Sequence, residues 1–73
     1  MAIAMIELVF SLGSEIEECF AEADRIANKL DVICKFEFNG VKCFARPLGS
    51  IKKGLEEYLL CTDNKKPNKL AVT

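Results

Sequence analysis

The stretch Cys34-Lys35-Phe36-Glu37-Phe38-Asn39-Gly40-Val41-Lys42-Cys43-Phe44-Ala45-Arg46 decides the fold. Two alternating runs flank Asn39-Gly40, a dipeptide in which both residues tolerate positive φ, and a two-residue loop of that kind closes a type I′ β-hairpin. The loop sets the register, opposing Phe38 to Val41, Phe36 to Cys43 and Cys34 to Ala45. These six residues share one face and point to the core. The other face pairs Glu37 with Lys42, Lys35 with Phe44 and Ile33 with Arg46, and the Glu37 to Lys42 pair supports the register by about a few tenths of a kcal/mol.

Upstream, Ile6, Leu8 and Phe10 alternate with Met5, Glu7 and Val9 over residues 5 to 10, the pattern of a strand with one better-buried face. After a turn at Ser11-Leu12-Gly13, Ser14 and Glu17 make a capping-box pattern, with Glu15, Glu17 and Glu18 where the helix dipole favours acids. A helix is therefore expected from near Ser14. Its apolar stripe is Ile16, Cys19, Phe20, Ala23, Ile26, Ala27 and Leu30, spaced at the helical period.

Downstream, Pro47 and Gly49 end the third strand, and Ser50 caps a second helix with Ile51, Leu55, Tyr58 and Leu59 inward, ending near Leu60. Gly54 within that helix costs about 1 kcal/mol relative to alanine. From Cys61 the residues Asp63 to Lys69 show no period and read as a solvated tail, with Leu70-Ala71-Val72 docking weakly. The expectation is one small domain over residues 1–62 with a flexible tail over 63–73. Its fold class is α/β (α+β): a β-α-β-β-α two-layer domain, with a three-stranded mixed sheet and both helices on one face. The first strand-helix-strand crossover is expected to be right-handed. Two strand orders satisfy this, with the third strand between the others or beyond the second.

A chain of 73 residues buries only about 60% of its unfolded surface, so a disulfide, a metal or a partner would aid its stability. The formal net charge of −1 points to no polyanion. It conceals an asymmetry, with seven acids against Arg25 and Lys29 in residues 1–34 and eight bases against four acids in residues 35–73. The apolar opening has no basic leader, and Glu7 interrupts it well short of the roughly 20 residues that span a bilayer. With no secretory signal, Cys19, Cys34, Cys43 and Cys61 are expected as free thiols in a cytoplasmic protein. They lack a C-x-x-C knuckle and a histidine companion, so neither a zinc site nor another cofactor is expected. The absence of histidine, and of any Ser or Cys beside a recognisable base, argues against an enzyme.

Binding surfaces remain. The uncovered sheet face would hold Met5, Glu7, Val9, Ile33, Lys35, Glu37, Lys42, Phe44 and Arg46, an apolar centre among charges that suits a homodimer or a partner protein. The interface residues expected are Met5, Val9, Ile33, Lys35, Lys42, Phe44 and Arg46. An alternative is a small nucleic-acid or nucleotide binder using the basic start of the second helix, where Arg46, Ser50, Lys52 and Lys53 could hold an anion at free N–H groups. Gly49 and Gly54 have Walker-loop spacing, but Leu55-Glu56 stands where Lys-Ser or Lys-Thr is required. The acidic stripe of Glu15, Glu18 and Glu22 reads as a solvated helix face.

The run Phe36-Glu37-Phe38-Asn39-Gly40-Val41, after an acidic helix and before a Pro/Gly-containing turn, resembles small uncharacterised proteins of bacteriophages and related mobile elements. The resemblance covers roughly residues 14 to 50. It implies a bacterial cytoplasm and a binder or inhibitor of a host protein, and brings no catalytic residues.

Overall fold

The computed structural model describes residues 4–11, 13–63 and 68–73. Its elements are β1 (Met5–Glu7), α1 (Ile16–Leu30), β2 (Ile33–Phe38), β3 (Val41–Ala45), α2 (Ile51–Thr62) and β4 (Leu70–Val72). The hairpin forms in the expected register, and Asn39 and Gly40 take φ of 50° and 78° in its turn. Its tip is tied to α2, because Asn39 Nδ2 donates to Tyr58 Oη at 3.0 Å and the Phe38 ring meets Tyr58 edge-on at 5.7 Å.

The sheet has four strands in the order β1-β2-β3-β4, not three. β1 runs parallel to β2, β2 antiparallel to β3, and β3 parallel to β4. The extra strand arises inside the segment expected to be a tail, where Ala71 pairs with Cys43 and is fully buried. Residues 64–67 of that expected tail lie outside the described residues. β3 thus lies beyond β2, as one of the two expected orders has it, but β4 covers its outer side.

Between the layers, Cys19, Phe20, Ala23 and Ala27 of α1 and Tyr58 and Cys61 of α2 pack on Cys34, Phe36, Val41, Cys43, Ala45 and Ala71. Phe36 sits edge-to-face with both Phe10 and Phe20, each at 5.2 Å, a geometry that suits the ring quadrupoles. Small Ala and Cys side chains at most other core positions let the helices lie close to the sheet. Gly54 is one such position. A Cβ there would lie 2.9 Å from both Phe20 Cε1 and Thr73 Cγ2, so the glycine that weakens α2 locally admits its neighbours.

The start of α1 differs from the capping box. Ser14 Oγ donates to the Ser11 carbonyl at 2.9 Å, and Glu15 is the N-cap residue, without a side-chain cap. The hydroxyl is drawn into the preceding turn, a competition usual for serine. Ser50 does cap α2, its Oγ accepting from the Lys53 N–H at 3.3 Å.

Both helices cover one face, so the antiparallel β2/β3 pair gives the two crossovers opposite hands. Viewed from the helices with β2 running upward, L-chirality sends the peptide groups of its back-facing residues to the left. Those groups bond to the β1 segment, since Lys35 C=O accepts from Leu8 N–H at 2.8 Å and Ile33 N–H donates to Ala4 C=O at 2.9 Å. The β1-α1-β2 crossover is therefore right-handed. β3 runs downward, and its back-facing residues bond to the right, Lys42 N–H to Lys69 C=O at 3.0 Å and Phe44 C=O from Thr73 N–H at 3.1 Å. With α2 also in front, β3-α2-β4 is left-handed, the hand that connections of this kind seldom take. Two non-glycine residues with positive φ, Leu48 at 62° and Lys69 at 50°, lie on either side of α2 in its connections.

Candidate functional site

The bare face of the sheet is built by cross-strand rows. Glu7, Lys35, Phe44 and Val72 form one row across all four strands; Glu37, Lys42 and Leu70 form a second; Met5 and Ile33 begin a third that points toward Arg46. Lys35 Nζ reaches Glu7 Oε2 at 4.0 Å, a loose and largely exposed pair worth at most about 1 kcal/mol. Ile33, Phe44 and Val72 are half-buried on this face, and among the described residues none of them belongs to the packed cluster beneath the helices. The rim is charged with both signs.

Of the expected interface residues, Met5, Ile33, Lys35, Lys42 and Phe44 share this face. Val9 stands beyond the end of β1 and is 91% exposed. Arg46 is directed to the end of the sheet, where its guanidinium donates to the Thr73 main-chain oxygen from Nε at 3.1 Å and Nη2 at 2.6 Å. Its own N–H donates to Thr73 Oγ1 at 3.0 Å, which fastens the chain just after β4 to the end of β3. Leu70 and Val72 were missed because the apolar triplet Leu70-Ala71-Val72 follows a turn-rich segment and is too short to show a period.

Of the expected anion-binding residues, Arg46 is held on Thr73, Ser50 Oγ accepts from the Lys53 N–H, and the Lys52 and Lys53 side chains are exposed at the start of α2. All four cysteines are buried and free. Burial pushes the Cys43 thiol up to about 12, with smaller contributions from the neighbouring Cys61 and Cys19, and burial also raises Cys19 and Cys34. Thiols held neutral in this way are poor nucleophiles and poor metal ligands. Among the described residues no cluster of His, Cys, Asp or Glu could hold a metal ion, and no helix is long and apolar enough to cross a membrane.

No protein-family model, curated protein or solved structure matches this chain.

Proposed function

We propose that the protein is a non-enzymatic protein-interaction module that self-associates through its open sheet face. One observation carries the reading: two helices on the same side of a four-stranded sheet leave Ile33, Phe44 and Val72 without a covering layer among the described residues. An apolar centre of this kind, rimmed by Glu7, Lys35, Glu37 and Lys42, is the usual anatomy of a protein contact. The balanced rim suits a second copy, because a two-fold axis through the patch can bring acids of one copy to bases of the other. The setting is a reducing cytoplasm, where a phage-type binder or inhibitor of a host protein could use the same face. The alternative role in nucleic-acid or nucleotide binding has less support, since Arg46 is committed to Thr73.

Phe44→Glu tests the reading by sedimentation at high micromolar concentration. Phe44 is not part of the core beneath the helices, so the variant should keep its far-ultraviolet spectrum while its assembly mass falls. A wild-type protein that sediments as an 8.1 kDa monomer throughout would refute self-association.

A further inference from the structure

The helical layer stops short of one edge of the sheet. α1 packs on β2 and β3 and α2 on β3 and β4, whereas no Cα of either helix comes within 8 Å of one in β1. Ile6 lies opposite the buried Cys34, on the helix side, yet it is only partly buried, as are Leu8 and Phe10. The Phe10 ring meets Phe36 edge-on at 5.2 Å and borders open space beside α1. An apolar flank is left there.

That space is a groove of about 510 Å³, lined by Phe10, Glu18, Cys19, Ala21, Glu22 and Arg25. Glu18, Glu22 and Arg25 are successive neighbours on one helix face, so the groove follows α1 for about two turns, roughly 10 Å. Phe20, which meets Gly54 of α2, is on the other flank of α1. The rim is acidic. Residues 14–25 carry five acids against Arg25 alone, and Arg25 donates to Glu22 Oε2 from Nε at 3.1 Å. Among the described residues Glu15, Glu17 and Glu18 have no ion-pair partner.

We infer that this groove docks a basic amphipathic helix of another protein, which lies beside α1 as a third helix of the layer. Helices cover the rest of this face, and one packed at the usual distance of about 8–10 Å from α1 extends that cover toward β1. The apolar stripe of such a helix, with anchors one turn apart, covers Phe10 and Ala21. Its lysines or arginines meet Glu15 and Glu18, acids that have no base of their own. The same surplus of acid turns away acidic helices and nucleic acid. This surface lies across the sheet from the open face around Phe44, and the two associations are separable.

The probe is a four-turn peptide with leucines on one face, at i, i+3, i+4 and i+7, and lysines elsewhere, titrated against the full chain. The peptide should gain helicity in the far ultraviolet, and the Glu18, Ala21 and Glu22 amides should shift most. A peptide of the same composition with its leucines scattered, and a striped one with glutamate for lysine, should each bind at least about tenfold more weakly. Ala21→Lys, at an exposed position of α1, should weaken the striped peptide by a similar factor while the variant unfolds at the wild-type midpoint in urea. No shift at millimolar peptide overturns the inference. So does equal affinity for the scattered peptide, which marks attraction to acidic surface without a groove, and so do shifts centred on Phe44 and Val72. Groove amides that shift with protein concentration alone assign the groove to a second copy and overturn it as well.

Discussion

Thr73 fills the space that a side chain on Gly49 would need. A Cβ at Gly49 would lie 2.2 Å from Thr73 Oγ1, and one at Gly54 would lie 2.9 Å from Thr73 Cγ2. The residue after β4 is therefore held between two glycines, one before α2 and one inside it, and by Arg46 from above.

Gly54→Ala should destabilise the protein, although alanine is the better helix former by about 1 kcal/mol. The new methyl would meet the buried Phe20 ring and Thr73, and overpacking of this kind costs about 1–3 kcal/mol. Urea unfolding measures the balance, and a stabilised Gly54→Ala variant would show that α1 and α2 can separate freely.

Stability should fall as pH rises from 9.0, the ordinary thiol value, toward about 12, where Cys43 ionises in the folded protein. The folded thiol holds its proton more tightly than the unfolded one, so its contribution is complete below 9.0 and is lost as pH climbs through the folded value. Thermal unfolding across that window should show a downward slope that Cys43→Ala reduces. Iodoacetamide at mildly alkaline pH should modify Cys43 only at the rate at which the chain opens.

Tyr58→Phe keeps the ring against Phe38 and removes the hydroxyl that accepts from Asn39 Nδ2. A loss of about 0.5–1.5 kcal/mol is expected. Asn39 amide exchange should accelerate more than that of the β2/β3 ladder, because this bond ties the turn to α2.

Leu48 is 94% exposed with φ of 62°, and its N–H donates to Asn28 Oδ1. Leu48→Asn keeps that backbone bond and places in the left-handed region a residue that tolerates it. It should stabilise the fold by about 0.5–1 kcal/mol, read as a higher midpoint in urea.

The hairpin and α1 were legible because each carries a local signal repeated several times, alternation about Asn39-Gly40 in one and the stripe from Ile16 to Leu30 in the other. Much of the bare face followed from the hairpin register, which correctly opposed Lys35 to Phe44 and Glu37 to Lys42. β4 was not legible. Its three residues carry no period, and what makes them a strand is tertiary: the Ala71 site against Cys43, the Glu57 carboxylate on Val72 and the Arg46 clasp on Thr73. The bond from Arg46 was not legible for the same reason, since only the fold supplies the Thr73 oxygen. The displaced capping role of Ser14 likewise depends on a nearby carbonyl that spacing does not reveal.

Had the β3-α2-β4 connection turned the usual way, α2 would lie across Lys42, Phe44, Leu70 and Val72, and the sheet would be sandwiched between one helix on each side. The uncommon hand leaves the molecule lopsided, with all its helical cover on one side and a bare floor on the other. The two connections of α2 carry the left-handed residues Leu48 and Lys69. The hand of this one crossover thus decides which side of the sheet the helices leave open among the described residues.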